Sequence, residues 1–507
     1  MFGAAALLVI GVLSAAFAYR LRAPGLLLFL ALGMLIGDDG LNLISLGEHQ
    51  LPQTFGVIAL AVILFEGGLV TKPGDLRRAA PAGIGLATVG VVVTAGVVAG
   101  AVLALTDLDA TTAWLIGAVV SSTDATAVFS LLRNAPLPRS VAAVLRVESG
   151  LNDPMAVLLT IGVLETWRAD PHVGNWALFA VLQLGVGLAV GAVVGLGGSW
   201  LLQRVPLGVV GLYPVLALGM GGVAYGAAAS LNGSGFLAVY IAGILIGALV
   251  PRHRRAIRSF HEGLSNTAEI GLFLLLGVLV FPSELPPVAL SGLGIAVVLL
   301  LLARPIAVFV TMAAPLLRRT LSLPEAIVIS WAGLRGAVPI VLATFPLTAG
   351  YPQGRSLFNT VFFVVLVSAA IQGSTVAPLA RRLGLRDSAG VWAPIAEALP
   401  LEGVDADLVE VDVTADLAVA GQRLRDVPLP AGALATAIVR DTSASIPTAD
   451  TRLAPGDRVI IAVPRHPGAT AGIVAWARGE GGAGERSPGV PARPVPAGPE
   501  SPAQPTD

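Results

Sequence analysis

The sequence predicts an all-α polytopic membrane protein of about thirteen transmembrane helices, two inverted six-helix repeats with crossing broken helices, followed by a small cytoplasmic α/β domain. Three observations predict it. Of the 507 residues, 55% are hydrophobic and only 12% charged, with a mean hydropathy of +0.83, whereas soluble domains carry about 25% charged residues. Apolar segments long enough to cross a bilayer recur through most of the chain. Basic residues gather in every second connection between them.

A spanning helix needs about 20 mostly apolar residues. Thirteen segments qualify: 3–19, 24–37, 54–71, 81–105, 111–132, 141–166, 174–203, 206–229, 234–250, 265–281, 288–314, 324–347 and 357–380. The first, beginning at Met1, has no charged n-region and no obvious cleavage site, so it reads as a membrane helix and not as a removable signal.

The loops test this division independently. Arg20 and Arg22, then Lys72, Arg77 and Arg78, then Arg133 and Arg139, then Arg204, then Arg252 to Arg258, then Arg318 and Arg319 occupy alternate connections. The loops between hold Asp38, Asp39 and Glu48, then Asp107 and Asp109, then Glu165 and Asp170, then Glu284, with Arg168 and Arg355 as exceptions. The positive-inside rule then places the N-terminus outside and the C-terminus, from Arg381, Arg382 and Arg386, in the cytoplasm of a bacterial inner membrane.

Residues 1–385 are thus the transmembrane domain and 386–407 a linker. Residues 408–464 read as an α/β domain, with strands near 408–413, 433–440 and 458–463, a short helix near 418–425, and turns at Pro430 and at Pro455-Gly456-Asp457. Residues 465–507 are expected to be mostly disordered, being Pro/Gly/Ser-rich from about Gly479.

The stretch RVESGLNDPMAVLLT, Arg146 to Thr160, sets charges into the sixth span. A charge at the bilayer centre costs about 2.5–3.5 kcal/mol on insertion scales. Residues three and four apart share a helix face, so Ser149, Asn152, Asp153 and Ala156 form one small polar stripe, with Glu148 beside Asn152. Pro154 removes a backbone donor and crowds the Gly150 carbonyl, leaving an oxygen free to coordinate a cation. The fifth span is interrupted by VSSTDATAVF and the twelfth by WAGLRGAVPIV. Around span 7 as a divider, these two occupy corresponding places, the pattern of an inverted-repeat transporter with its site where the breaks cross.

Other readings stand beside these. Asp153-Pro154 also fits a helix N-cap with proline at N1, and Asp124 a second cap. Glu148 and Arg335 are expected to form a buried, mainly structural ion pair. Glu66, in LFEGGL, fits either a cation route or satisfaction of nearby backbone. Arg146 is expected to snorkel to the cytoplasmic interface.

Several classes of function find no support. The chain has no cysteine, and its histidines, at 49, 172, 253, 261 and 466, show no metal-ligand spacing. Neither GxxxxGK[ST] nor a strand followed by GxGxxG is present, so nothing points to ATP-driven transport. No enzymatic activity, resident cofactor or nucleic-acid partner is expected.

SSTDATAVF, VESGLNDPMAV and GLRGAVPIVLATFP together resemble the NhaP-type monovalent cation:proton antiporters, and residues 408–464 resemble a TrkA C-terminal (RCK-C) domain. Their pairing in this order is similar to potassium/proton antiporters described as cell-volume regulation proteins. The resemblance implies thirteen helices, a core of two six-helix halves, and a homodimer. It implies exchange of K+, with Na+ as the other candidate ion, for H+, with Asp153 binding cation and proton in alternation. Asn152 would be its neighbour in the Asn-Asp motif; Ser149, Thr123, Asp124 and Glu66 would be further ion-site groups; Glu148 and Arg335 would be the stabilising pair. An Asn preceding the Asp goes with electroneutral exchange in that family. The RCK-C domain implies a regulatory small-molecule or nucleotide ligand. RCK-type domains also gate channels, so a gated cation channel or transport sensor is the other reading; against it, no TVGYG-like filter is present.

Overall fold

The computed structural model describes residues 25–43, 50–71, 73–124, 137–169, 173–250, 253–314, 321–385, 395–400, 406–414, 417–440, 443–464 and 468–479, with isolated positions 9, 11, 13 and 128. Most of the expected first span, most of the second half of the fifth, and the tail beyond 479 lie outside the described residues. The chain forms two compact units, Met1–Ser388 and Ala389–Asp507.

The first unit is helical. Its elements are α1 (Gly25–Ile36), α2 (Gln50–Val70), α3 (Pro73–Gly85), α4 (Val91–Leu105), α5 (Ala110–Val120), α6 (Arg139–Ala169), α7 (Val173–Arg204), α8 (Leu212–Ser230), α9 (Gly235–Leu249), α10 (Arg254–Val278), α11 (Pro286–Val298), α12 (Arg304–Ala313), α13 (Leu323–Trp331), α14 (Ala337–Thr348) and α15 (Gly354–Arg382). Among the described residues seven helical stretches are long and apolar enough to cross a membrane. Two of the shorter apolar helices, Ala110–Val120 and Ala337–Thr348, are pieces of the interrupted spans.

A second correspondence between the halves was not visible in the residues. The α3–α4 span is joined by a π-helical turn at Leu86–Gly90, and the α11–α12 span by another at Leu299–Ala303. These are spans 4 and 11, equivalent in the expected repeat, and π-turns inside long helices mark functional regions. Helix α12 therefore starts at Arg304 with its guanidinium directed into the protein, 3% exposed.

Close backbone approach explains part of the glycine content. A Cβ on Gly243 of α9 would fall 2.5 Å from the Phe65 carbonyl of α2, so these helices can meet this closely only with glycine there. The two basic residues that break the loop alternation are both ion-paired with acids of the same side. Arg355 Nε lies 2.8 Å from Glu284 Oε2, and Arg168 Nη1 3.3 Å from Glu165 Oε1. The Arg355 guanidinium holds the Glu284 carboxyl below the usual carboxylate range.

The second unit is a five-stranded antiparallel sheet ordered β1-β2-β5-β3-β4, from β1 (Ile395–Pro400), β2 (Ala406–Asp412), β3 (Leu434–Arg440), β4 (Ser443–Ser445) and β5 (Arg458–Pro464), with α16 (Ala469–Arg478). Val459, Ile461 and Val463 alternate into a core with Val409, Val411, Ile473 and Trp476. The folded unit is larger than the sequence suggests: β1 lies in the stretch read as linker and α16 in the stretch read as tail. The helix expected near 418–425 is absent. Gly421 takes φ +77°, and its N–H donates to Leu453 O at 2.6 Å while Leu424 N–H donates to Thr451 O at 3.0 Å. Pairing with 451–453 thus claims the backbone groups that a helix needs.

Candidate functional site

The two interrupted spans meet. After α5 ends at Val120, residues 121–124 leave the helix, and Asp124 N–H donates to Leu334 O at 2.8 Å in the break between α13 and α14. A Cβ on Gly336 would fall 2.0 Å from Asp124 Oδ2, so the Asp124 side chain occupies the space that any other residue would fill. Unwound backbone persists in a membrane only where its polar groups find partners. Here Arg304 Nη2 donates to Ile329 O at 3.3 Å, Gln372 Nε2 to Trp331 O at 2.7 Å, and Arg335 Nη1 to Gly333 O at 2.6 Å.

Helix α6 runs past this crossing. Asp153 is 7% exposed, and its Oδ1 accepts a hydrogen bond from Ser122 Oγ at 2.6 Å. Asn152 is fully buried; its Nδ2 donates to Thr123 Oγ1 at 2.5 Å, while its Oδ1 has no hydrogen-bond partner among the described residues. Two successive residues of the broken span thus each hold one of two successive residues of α6. Ser149 is half-buried one turn earlier on α6.

One expected pairing is corrected. Glu148 is paired with Arg304, not Arg335: Arg304 Nη1 contacts Glu148 Oε1 and Nη2 donates to Oε2 at 2.8 Å, both residues being buried. The physical reason is direction. Arg304 leads α12 with its fork facing α6, whereas Arg335 turns back onto the Gly333 carbonyl of its own segment, and its Nε has no partner among the described residues. The two guanidinium groups flank Gly333, where a Cβ would fall 2.6 Å from Arg304 Nε and 3.1 Å from Arg335 Nη1. A bidentate Arg–carboxylate pair is the strong form of such contacts.

Glu66 is half-buried on α2, within electrostatic range of Arg258, Glu262 and Arg146. It also acts on Glu269 of α10, which in turn lies within range of Asp124. Sequence reading missed Ser122, Arg304, Gln372 and Glu269. The signal for Arg304 and Glu269 was present: each is an ionisable residue inside an otherwise apolar span, expensive without a partner. Nothing distinguished Ser122 from its serine neighbour.

Chemically, the arrangement treats the two acids of α6 differently. Glu148 is neutralised by Arg304, whereas Asp153, among the described residues, has no ion-pair partner and a single hydroxyl contact. Such a group in a dry site needs a proton or a cation.

The model of the transmembrane sodium/hydrogen exchanger family matches residues 5–382, and that of the TrkA-C domain matches residues 408–470. The chain belongs to the sodium/hydrogen exchanger family. This exchanger is 37% identical over 470 residues to the K(+)/H(+) antiporter NhaP2 of Shewanella baltica (strain OS223), covering 89% of this chain and 79% of that one. It is 37% identical over 448 residues to the K(+)/H(+) antiporter NhaP of Alkalimonas amylolytica, covering 86% and 76%. Its fold matches the sodium proton antiporter MjNhaP1 of Methanocaldococcus jannaschii with a TM-score of 0.65 at 23% identity, over 75% of this chain and 97% of that one. The exchanger is accordingly a multi-pass membrane protein of a transporter family, not an enzyme, and needs no cofactor.

Proposed function

We propose that this exchanger couples inward or outward movement of a monovalent cation to counter-movement of a proton, with both ions competing for the Asp153 carboxylate. The observation that carries the reading is that carboxylate: buried at the crossing of two broken spans, contacted by Ser122, and without an ion-pair partner among the described residues while neighbouring Glu148 takes the arginine. A carboxylate that holds either a proton or a dehydrated cation, never both, links the two flows. The empty, charged form crosses the barrier poorly because of its self-energy, which suppresses leak.

K+ is the preferred ion, supported by the relatives named as K(+)/H(+) antiporters. Asn152 is neutral and engaged with Thr123, so a single exchanging acid at this pair supports electroneutral one-for-one exchange. Ser149, Thr123, Asp124 and Glu66 belong to the ion route, and Arg335 lines the broken helix. We place the exchanger in the bacterial inner membrane as a homodimer, N-terminus outside, with the sheet unit in the cytoplasm where a small ligand regulates it by binding one transport state better than the other.

The test is dissipation of ΔpH in inside-out vesicles on adding K+, Na+ or Li+ to wild type and Asp153→Asn in parallel. Collapse of the gradient by K+ in wild type alone is expected. Cation-driven proton flux retained in folded Asp153→Asn would overturn the reading.

A further inference from the structure

Tyr240 of α9 lays its ring against Gly150 of α6. A Cβ on Gly150 would fall 2.1 Å from Tyr240 Cζ and 2.4 Å from its hydroxyl oxygen, so the ring occupies the place where a side chain would begin. Tyr240 is 2% exposed, and among the described residues its hydroxyl makes no hydrogen bond of acceptable geometry. Thr71 stands near it, its own hydroxyl donating to the Gly67 carbonyl at 2.7 Å.

The position of this contact gives it meaning. Arg146, Gly150 and Asp153 follow at spacings of four and three, so they share one face of α6. Arg146 and Asp153 both lie within electrostatic range of the phenol. The ring therefore lies across the line from Asp153 to the Arg146 end of the helix. Toward the other end a cavity of about 400 Å3 opens between Gln53, Thr54, Glu165, Arg168, Phe345 and Thr348.

We propose that Tyr240 is the gate that closes the passage between Asp153 and the Arg146 end of α6. The proposal rests on the exchange reading above, in which a monovalent cation uses that passage. The hydroxyl explains why the gate is tyrosine. A buried hydroxyl without a partner disfavours the closed state, and it regains a partner in water or a passing cation when the ring swings away. Gly150 is also the residue whose carbonyl Pro154 deprives of a helical donor, so lifting the ring uncovers a free oxygen in the passage.

The chain has no cysteine, which permits a single reporter: Ser122→Cys, beside Asp153, labelled with an impermeant thiol reagent in inside-out vesicles. Tyr240→Phe keeps the ring and removes the unsatisfied group. It is expected to slow both labelling of the reporter and, in the reporter-free chain, cation/proton exchange, by roughly tenfold. Gly150→Ala denies the ring its seat and is expected to speed labelling. Should Gly150→Ala not fold, Tyr240→Phe decides alone. Equal labelling of folded protein in wild-type and Tyr240→Phe backgrounds would overturn the gate. Labelling ordered as expected, with no exchange in any background, would support the gate and overturn the exchange reading instead.

Discussion

Glu148 and Arg304, 156 positions apart in sequence, meet in a buried bidentate ion pair that ties α6 to the start of α12. Removing either partner strands the other charge out of water. Glu148→Leu and Arg304→Met are each expected to cost about 3–5 kcal/mol of fold stability, while the Glu148→Leu/Arg304→Met double variant recovers most of it. Thermal unfolding in detergent measures all three. Additive losses in the double variant would show that the pair does not act as a unit.

Gly336 gives way to the Asp124 side chain at the crossing. Gly336→Ala places a methyl group 2.0 Å from Asp124 Oδ2, too close for coexistence, and the adjoining Asp124 N–H to Leu334 O bond must shift. Membrane insertion, read by yield and monodispersity, is expected to persist while exchange is lost.

Ser122 donates to Asp153 Oδ1 at 2.6 Å, stabilising the carboxylate at which we propose the cation binds. A hydrogen bond to a charged group contributes about 1.5–3 kcal/mol. Ser122→Ala is expected to raise the apparent cation KM about tenfold or more, with Ser122→Thr intermediate, measured by cation titration of ΔpH dissipation.

In the sheet unit, Asp457 accepts from Arg440 Nε at 2.7 Å, and that guanidinium holds its carboxyl below the usual range. A depressed folded value means stability that is present above the unfolded value near about 3.9 and is lost as pH falls through the folded one. The protection factors of the Val459–Val463 amides in the full chain, exchange rates divided out by the intrinsic rate at each pH, are expected to fall as the medium is acidified through that window. Arg440→Gln is expected to lower them already at neutral pH and to flatten their acid dependence.

Much of the site was legible in the residues because polar groups inside apolar spans are costly, and the cost reveals them. Asp153 and Asn152, and the interruptions around Asp124 and Arg335, stood out on that ground, and the structure brings both interruptions together beside α6. The partner of Glu148 was not legible. Arg304 and Arg335 are both mid-span arginines, and only the phase of α12 after its π-turn decides which fork faces α6. The π-turns themselves lie in runs of Leu, Ala, Val and Gly that a regular helix accommodates equally well. In the sheet unit, alternation revealed β2, β3 and β5, but the 418–425 segment looked helical because its pairing partner, 451–453, is distant in sequence.

The central claim is competition of cation and proton for Asp153. Its most direct test is the apparent KM for K+ in proteoliposomes, measured across pH at fixed membrane potential. The account predicts that KM rises in proportion to proton concentration on the acid limb while maximal velocity stays constant. A maximal velocity that falls with acid at unchanged KM would contradict it, placing the proton at a site separate from the cation.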